Sequence, residues 1–352
     1  MPKTIMHADL DAFFASCEEA ANQAYIGRPV VVGADPKGGR GRGVVSTCNY
    51  IARKFGIHSA MPISKAFRKC PKAVFIMPNF ELYASVSERV MAILSKYSGK
   101  FEQVSIDEAC LDVTGSPDTR YIAEKIKAEI FERENITCSI GIGSNKMVAK
   151  IASEFNKPAG LTLVKNGEEK EFLAGLGVRA IPGIGPKSGE ILSRYGISKI
   201  GQLSALGPVR LAEIFGKWGI ELYNYSIWIG DDEVYAHEGI KSISRNFTFE
   251  SNTSDYAFIS KTVEQMCIDA HNSLLENSCL AKTIGIRIRF GDFSTFTREK
   301  SISSHTSDFV IIKKTAHSLI REFESDKRKV RLVGIRLSGL KNAAGQKTFD
   351  DY

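Results

Sequence analysis

The sequence predicts an α/β protein of several domains, and three observations predict it. The chain has 352 residues, more than the roughly 100 to 150 residues of a typical domain. Up to about residue 160, short β-branched runs such as PVVVGA and TCSIGIG alternate with helix-like segments, which is typical of mixed α/β structure. A helical stretch interrupted by Gly and Pro follows, and a second module of strands and helices comes after it.

The order of these segments predicts how the chain is divided. The first 160 residues or so form the catalytic unit, with a small lobe from Phe13 to Met77 inserted at one end of its sheet. The helical stretch predicts a small all-α domain, which ends at the polar connector GDDEVYAHEG. The last module reads as strand, helix, two strands, helix, strand.

Composition narrows the class of protein. Apolar residues make up 43% and charged residues 25% of the chain, as in ordinary globular proteins. No run approaches the about 18 apolar residues of a membrane helix, and MPKTIMHADLD lacks signal-peptide features, so we expect a cytoplasmic protein. The seven cysteines are scattered without a Cys-x-x-Cys pair, which predicts reduced thiols and no zinc site.

The positive charge is unevenly distributed. The chain carries a formal charge of +7, and residues 241–341 hold 17 Lys plus Arg against 11 Asp plus Glu, a difference of +6. A basic module of this kind indicates a polyanionic partner, and nucleic acid fits better than a membrane because no basic amphipathic anchor helix is present.

The segment VSIDEACLD places the adjacent acids Asp107 and Glu108 among apolar residues. Burying unpaired carboxylates is costly, so they require cations, protons or hydrogen bonds. One interpretation is a capping box, since Ser105 and Glu108 have the Ser-x-x-Glu spacing of a helix start.

The N-terminal segment TIMHADLD supplies further acids. Period-two alternation puts His7, Asp9 and Asp11 on one face of a predicted strand. Asp9, Asp107 and Glu108 together could provide the hard oxygen ligands of two Mg²⁺ ions with positions left for substrate phosphates. The alternative is that the acids merely end the strand.

Two phenylalanines, Phe13 and Phe14, come next. Adjacent phenylalanines are usually part of a core. If the acids hold a nucleotide, however, an aromatic ring this close along the chain could exclude a 2′-hydroxyl by collision.

The segment STCNYIARKFG suggests a triphosphate site. Thr47, Tyr50 and Arg53 are three residues apart, so on a helix they would share one face. Arg can bind phosphate oxygens bidentately, and Lys157 in EFNKPAG is a candidate second cation. The alternatives are a solvated helix face and a lysine that complements a helix dipole.

Two segments suggest contacts to a nucleic-acid backbone. IPGIGPK, with Gly183, Gly185 and Lys187, is typical of a helix-hairpin-helix turn whose N–H groups face a phosphate, although a purely structural hairpin is the alternative. In TIGIRIRF, alternation puts Arg287 and Arg289 opposite the isoleucines; a solvated edge strand is the alternative. Further predicted DNA contacts on strands of this module are Arg245, Thr295, Thr297, Arg298, Arg331 and Arg336.

These stretches together resemble the Y-family, lesion-bypass DNA polymerases, specifically the polymerase IV type of bacteria and archaea. The segments that match in order are HADLDAFFA, PVVVGA, GRGVVSTCNYIARKFGIHSAMP, SIDEACLDVT, TCSIGIGSNKMVAKIASEFNKPAGL and IPGIGPK. The similarity runs from about Ile5 to Leu340. One loop, GADPKGGRGRGVV, is longer and more basic than is usual in that family.

The resemblance implies a right-hand architecture with an additional domain. Its parts are a palm (1–12 and 78–165), fingers (13–77), a helical thumb (166–230), a linker (231–240), an α/β little finger (241–341) and a tail (342–352). It also implies residue roles: Asp9, Asp107, Glu108 and the Leu10 backbone for two Mg²⁺, Phe14 with Phe13 beside it for the sugar gate, and Thr47, Tyr50, Arg53 and Lys157 for the triphosphate.

The implied activity is template-directed addition of deoxynucleotides to a primer 3′ end, with low fidelity and no segment left for proofreading. The partners expected are primer–template DNA, deoxynucleoside triphosphates and a sliding clamp. The enzyme itself is expected to be a monomer. Gln346, Phe349 and Tyr352 have the spacing of clamp-binding peptides, although a frayed tail is the alternative. A nucleotidyl cyclase or a non-catalytic DNA-binding protein are the competing interpretations.

Overall fold

The structure, a computed structural model, describes residues 2–235 and 239–343. The chain divides into two compact units, Met1–His237 and Glu238–Tyr352, and this division falls within the predicted linker 231–240. The predicted multidomain α/β class is confirmed. In the described ranges, no helix has both the length and the apolar character needed to cross a membrane.

The first unit contains two sheets and several helices. Its strands are β1 (Ile5–Leu10), β2 (Val30–Gly33), β3 (Val45–Cys48), β4 (Val74–Ile76), β5 (Phe101–Gln103), β6 (Glu108–Asp112), β7 (Cys138–Gly143) and β8 (Leu161–Leu163). Its α-helices are α1 (Phe13–Ala21), α2 (Tyr50–Arg53), α3 (Ile63–Lys69), α4 (Phe80–Leu94), α5 (Thr119–Glu134), α6 (Lys146–Phe155), α7 (Glu169–Ala174), α8 (Pro186–Arg194), α9 (Ile200–Phe215) and α10 (Lys217–Ser226).

Strand β1 is central in the larger sheet, whose order is β5-β6-β1-β7-β8. It pairs antiparallel with both β6 and β7, and all six of its residues are buried. The predicted alternation is confirmed, because Met6, Ala8 and Leu10 join the main hydrophobic core with α4 and α5. The opposite face carries His7 and Asp9 and lies against α6, where Ser153 contacts His7.

The inserted lobe has a three-stranded sheet of its own. Its order is β3-β2-β4, with β2 antiparallel to β3 and parallel to β4. Val31, Val45, Ile57 and Ile63 form part of a separate small core beneath α3. The lobe therefore has its own packing and keeps α2 close to the end of β1.

Helices α7 to α10 form the all-α part of the first unit. Leu173, Leu192, Leu203 and Leu222 are buried together in one core. Helix α9 is broken at Gly207, which has φ +72 and precedes Pro208. The predicted helical region is thus present, with its break at a Gly-Pro pair that cannot continue the helical hydrogen bonds.

The second unit has the element order predicted from the sequence. Its elements are β9 (Ser242–Thr253), α11 (Tyr256–Glu276), β10 (Cys279–Phe290), β11 (Thr295–Thr306), α12 (Phe309–Arg321), β12 (Val330–Ser338) and a short β13 (Lys341–Asn342). The sheet order is β11-β10-β12-β9, with antiparallel pairing throughout and β13 on β10. The isoleucines of TIGIRIRF and Phe290 are fully buried under α11 and α12.

Candidate active site

The central feature of the site is a pair of acids on neighbouring strands. Asp9 on β1 lies directly opposite Glu108 on β6 in the antiparallel register, and Asp9 is 4% exposed. Like charges in such cross-strand positions repel each other. Each acid is bound to its own lysine, with Lys157 Nζ 2.5 Å from Asp9 Oδ1 and Lys150 Nζ 2.7 Å from Glu108 Oε1.

The third predicted acid, Asp107, is held beside the end of β1 by the backbone. The Leu10 amide donates to the Asp107 carbonyl oxygen at 2.9 Å, and Ser105 Oγ donates to Asp107 Oδ1 at 2.6 Å. The capping-box interpretation is wrong, because Glu108 begins a strand rather than a helix. Pairing with β1 is what places these acids next to Asp9.

Burial and ion pairing give the two paired acids opposite proton affinities. Burial raises the pKa of Asp9 to about 7, against the lowering effect of Lys157. The contacts with His7 and then Lys150 lower the pKa of Glu108, so this carboxylate is ionised at neutral pH. Although burial opposes it, the Asp9 carboxylate raises the pKa of Lys157, which therefore stays cationic.

His7 is a buried neighbour of Glu108. Its Nε2 lies 3.5 Å from Glu108 Oε2, and its Nδ1 lies 3.1 Å from Ser153 Oγ. Ser153 Oγ lies within hydrogen-bond distance of both His7 Nδ1 and the Lys150 carbonyl oxygen. Helix α6 thus fixes the orientation of the imidazole and supplies Lys150 to the same carboxylate.

Asp11 has a role that the sequence did not reveal. It is 1% exposed and accepts hydrogen bonds from Thr137 Oγ1 at 2.9 Å, Ser139 Oγ at 2.8 Å, the Ala159 amide at 2.8 Å and Tyr50 OH at 3.3 Å. These donors come from β7 and the residue before it, from the loop after Lys157 and from α2. Asp11 therefore joins the segments that carry two of the predicted triphosphate ligands.

The predicted triphosphate residues are only partly on one helix. Tyr50 and Arg53 belong to α2, and the Arg53 guanidinium lies 4.4 Å above the Tyr50 ring centroid. Thr47 lies in β3, so the prediction of one shared helix face is wrong; Asn49 caps α2, and the helix begins only after it. Burial, followed by the Asp11 carboxylate, raises the pKa of Tyr50 to about 12, so its hydroxyl remains a donor.

The two phenylalanines after β1 occupy different environments. Phe13 is buried at 2% exposure in the main core. Phe14 is half-buried and stacks on Tyr83 with ring centroids 4.3 Å apart, and the Phe80 ring lies perpendicular to it with centroids 6.0 Å apart. Phe14, rather than Phe13, therefore has a face available to a ligand.

The hairpin IPGIGPK has the geometry of a backbone-binding turn. Gly183 has φ +93, a left-handed conformation that favours glycine, and Gly185 precedes the first residue of α8. No side chain caps α8, and Lys187 in its first turn is exposed. The first N–H groups of α8 therefore have neither an intrahelical partner nor a side-chain cap.

The second unit brings together some of its predicted DNA contacts and separates others. Strand register places Arg287 beside Thr297 and Gly334, Arg289 beside Thr295, and Arg336 beside Gly285. These residues share the face of the sheet that α11 and α12 leave open. The glycines form part of the floor of a groove of about 300 Å³ that Arg287, Thr297 and Arg336 also line.

Two other predicted arginines, Arg298 and Arg245, lie on the opposite face of the sheet. Arg298 pairs with Ile286 and binds Glu322 at 2.9 Å, so it lies on the helix side of the sheet. Arg245 likewise pairs with Ile335 and donates to Ser273 of α11 at 2.7 Å. The Arg331 guanidinium lies 4.7 Å above the Phe293 ring. The predicted clamp residues Gln346, Phe349 and Tyr352 are outside the described residues.

The oxygen ligands of the three acids and their backbone positions suit a divalent metal, although each acid side chain is bound to another residue. Carboxylate and carbonyl oxygens are the ligands that Mg²⁺ prefers, and Asp9, Asp107, Glu108 and Leu10 meet at one end of β1 and β6. In the described ranges, no three His, Cys, Asp or Glu side chains converge as they stand. The reason is that each acid is turned to its own partner, Lys157, Ser105 or Lys150.

Comparisons with known proteins agree on one family. Residues 8–154 match the impB/mucB/samB family, and residues 240–349 match the C-terminal domain of that family. The chain is 45% identical to DNA polymerase IV 2 of Methanosarcina mazei over 98% of this chain and 95% of that protein. It is 43% identical to DNA polymerase IV of Methanoculleus marisnigri, covering 99% of this chain and 98% of the other.

Solved structures give the same result for the fold. A Y-family DNA polymerase chimera of Dbh and Dpo4 superposes with a TM-score of 0.88 at 32% identity, covering 96% of this chain and 99% of that one. An insertion ternary complex of Dbh DNA polymerase covers the same shares of both chains with a TM-score of 0.66 at 30% identity.

Proposed function

The chain belongs to the impB/mucB/samB family of Y-family DNA polymerases, and from this premise we propose that Asp9 and Glu108 mark the point where it adds nucleotides to DNA. The enzyme is a template-directed translesion DNA polymerase. Dependence on divalent metal, a two-metal mechanism and the lack of proofreading are general features of its family. The observation that carries the proposal is the direct cross-strand pairing of Asp9 with Glu108.

We assign Asp9, Asp107, Glu108 and the Leu10 carbonyl as the residues that hold two Mg²⁺. Two such ions, when bound, activate the primer 3′-hydroxyl and stabilise the charge on the transferred and leaving phosphates. Asp9 and Glu108 would exchange their lysine partners for metal. The Leu10–Asp107 backbone hydrogen bond keeps the third carboxylate within reach during this exchange.

The lysine released from Asp9 then has a second role. Lys157, which stays cationic, would turn to the triphosphate together with Arg53, Tyr50 and Thr47. Arg53 is already oriented by its contact with the Tyr50 ring and by donation from Nε to the Cys48 carbonyl at 3.2 Å. An oriented guanidinium and an ammonium bind triphosphate oxygens with little further loss of side-chain freedom.

Contacts to DNA would come from both units. The uncapped first turn of α8 with Gly183, Gly185 and Lys187 suits a phosphate of the duplex backbone. Arg287, Arg289 and Arg336, with Thr295 and Thr297, suit further phosphates along the open face of the second unit. Such contacts give affinity that depends on salt and do not read the sequence, as a polymerase requires.

The two competing interpretations leave observed features without a use. A nucleotidyl cyclase would need the paired acids but neither the hairpin nor the basic open face. A non-catalytic DNA-binding protein would need those surfaces but would have no reason to bury Asp9 opposite Glu108. Family membership over nearly the whole chain accounts for both sets of features.

The test of the catalytic assignment is primer extension on a primed template with Mg²⁺ and four deoxynucleoside triphosphates. We expect Asp107→Ala to abolish extension. Asp112→Ala is the matched control, because Asp112 lies at the far end of β6, which begins directly after Asp107, and binds Lys3 at 3.1 Å. Extension by Asp107→Ala at the level of the control would refute the assignment.

We also propose that the tail binds a sliding clamp and that the enzyme acts as a monomer. The support is the spacing of Gln346, Phe349 and Tyr352. Deleting residues 346–352 should abolish stimulation of synthesis by the clamp and leave clamp-free synthesis intact. Equal stimulation of the full-length and shortened chains would refute clamp binding through this tail.

A further inference from the structure

The loop after Lys157 has an unusual backbone conformation. It runs through Pro158, Ala159 and Gly160, between α6 and β8. Ala159 has φ +54, in the left-handed region that residues with a Cβ atom rarely occupy. Such a conformation persists only where the surrounding structure enforces it. The contacts of these residues therefore show what fixes the backbone next to Lys157.

The backbone N–H and C=O groups of Ala159 and Gly160 all have partners outside the loop. The Ala159 amide donates to Asp11 Oδ2 at 2.8 Å, and the Gly160 amide donates to Ser139 Oγ at 3.1 Å. Lys127 Nζ donates to the Ala159 carbonyl at 2.5 Å and to the Gly160 carbonyl at 3.2 Å. The peptide group between Ala159 and Gly160 is thus held at its carbonyl by a cation, which makes a stronger hydrogen bond than a neutral donor.

Lys127 is well placed to hold this loop. It is half-buried on α5, where the neighbouring Ile126 and Ile130 are fully buried in the main hydrophobic core. In the described ranges Lys127 makes no other hydrogen bond and no ion pair. Its ammonium therefore acts on the loop alone, and it does so from a helix that the core keeps in place.

The side chain of Lys157 is held by groups that the proposed function requires it to leave. Its Nζ lies 2.5 Å from Asp9 Oδ1 and 2.6 Å from Glu154 Oε1. Once Asp9 binds metal, only Glu154 remains, and its side chain is 53% exposed, so this ion pair is weak. The Lys157 side chain can then turn to the triphosphate, while the contacts of the next residues keep its backbone in place.

We propose that Lys127 is a positioning residue for nucleotide binding. By holding the carbonyls of Ala159 and Gly160, it fixes the backbone from which Lys157 reaches the triphosphate, and it does not itself bind the nucleotide. Without the ammonium, Ala159 can leave its left-handed conformation, and Lys157 then occupies its binding position for a smaller fraction of the time. Apparent affinity falls in proportion to that fraction. The inference rests on the triphosphate role proposed for Lys157.

The test compares two lysines of the same helix. Lys127→Met removes the ammonium and keeps an apolar stem. Lys125→Met is the matched control, because Lys125 is exposed on α5, lies 4.7 Å above the Tyr121 ring and carries the same charge. Single-turnover incorporation at increasing deoxynucleotide concentration gives the apparent Kd for the nucleotide and the maximum rate separately, and fluorescence anisotropy gives the Kd for primer–template DNA.

We expect Lys127→Met to raise the apparent Kd for the nucleotide about 5-fold, with little change in the maximum rate or in the Kd for DNA. Lys125→Met should behave as wild type. Lys127→Arg keeps a cationic donor and should restore most of the nucleotide affinity. Lys127→Gln keeps a neutral donor and should give a smaller rise, so it serves the same test if Lys127→Met is too unstable to purify.

A double variant shows whether Lys127 acts through Lys157. In the Lys157→Ala background, Lys127→Met should add no further rise in the apparent Kd for the nucleotide, because the group that it positions is absent. A further rise of about 5-fold in that background would overturn the proposal. So would an unchanged nucleotide Kd in Lys127→Met, including the case in which only the fraction of active enzyme falls, since Lys127 would then only stabilise the fold.

The single variant Lys157→Ala tests the proposed function separately. A wild-type nucleotide Kd in this variant would refute the triphosphate role of Lys157 and the inference with it. A raised Kd in Lys157→Ala together with a wild-type Kd in Lys127→Met would refute the positioning role alone.

Discussion

The acidic end of β1 and the open face of the second unit's sheet carry opposite charges and are built in opposite ways. Asp9 and Asp11 are 4% and 1% exposed, and each carboxylate has specific partners within 3.3 Å. Arg287 is exposed and lies between Thr297 and Gly334 in the strand register. Buried charges need exact partners, whereas exposed cations contribute separately and weakly. Single substitutions should therefore have large and specific effects at the first region and small, additive effects at the second.

The largest effect is expected at Phe14, the aromatic residue that follows the acidic end of β1. Phe14→Ala removes the ring that stacks on Tyr83 and should raise the relative kcat/KM for ribonucleotides on the order of 100-fold, or about 2.7 kcal/mol. Single-nucleotide incorporation with deoxy- and ribonucleoside triphosphates measures this. Phe131→Ala, which truncates a ring 53% exposed on α5, is the control. Unchanged discrimination in Phe14→Ala would remove Phe14 from the gate.

A smaller but equally specific effect is expected at Asp11. Asp11→Asn turns an amide N–H₂ group toward hydrogen-bond donors, so Tyr50 and the loop after Lys157 lose their common anchor. We expect KM for the deoxynucleotide to rise about 10-fold, or about 1.4 kcal/mol, with a smaller change in kcat. Steady-state kinetics with active-site titration separates this from misfolding.

Tyr50→Phe provides the internal control for Asp11. It removes one donor to Asp11 and leaves the ring under Arg53. The free energy that corresponds to the rise in KM should be smaller in the double variant than the sum for the two single variants, because the two groups share one hydrogen bond. A reduced fraction of active enzyme with unchanged KM would mean that Asp11 only stabilises the fold.

The same comparison explains how much could be predicted from the sequence. Alternation placed Met6, Ala8 and the isoleucines of TIGIRIRF correctly, because period-two burial is a local property. Thr47 was misplaced because spacing of three suits a helix face, whereas β3 runs to Cys48 before α2 begins. The functional roles predicted for the other site residues stay proposals.

Contacts between distant segments could not be predicted. Lys150 meets Glu108 across 42 residues and Asp11 meets Ala159 across 148, and nothing in the local sequence specifies such partners. Thr297 and Arg298 are a simpler case. Adjacent strand residues point to opposite faces, so both could not belong to the open face, and only pairing with β10 decides which does.

A stability measurement tests whether the buried charge carries a cost. Burial raises the folded-state pKa of Asp9 to about 7 from the usual 3.8. Between these two pH values Asp9 binds more protons in the folded protein than in the unfolded one. Its contribution to the free energy of unfolding therefore falls as pH rises from 3.8 to about 7. Asp9→Asn should remove this pH dependence between pH 4 and pH 7, measured by urea unfolding with a chelator, although the loss of the partner of Lys157 lowers stability at every pH.

Asp112→Asn is the control with the opposite sign. Burial alone would raise the pKa of Asp112, but the hydrogen bonds with Thr114 and the contact with Lys3 lower it overall. The ionised carboxylate therefore stabilises the fold at pH above the usual pKa of Asp, and this stabilisation is lost as pH falls. Asp112→Asn should therefore destabilise at neutral pH. A wild-type pH slope that persists in Asp9→Asn would show that Asp9 is not the group responsible.

The smallest effect is expected on the open face of the second unit. Arg287→Ala with Arg289→Ala should reduce the slope of log K against log salt for DNA binding by about 1.8, since each duplex phosphate contact contributes about 0.9, with little change in catalysis. Arg245→Ala with Arg298→Ala removes the same charge from the helix side of the same sheet, where Ser273 and Glu322 hold the guanidinium groups. The two double variants remove the same net charge from opposite faces of the sheet. Equal slopes for both would mean that only the total charge affects DNA binding. The two regions would then differ in burial alone.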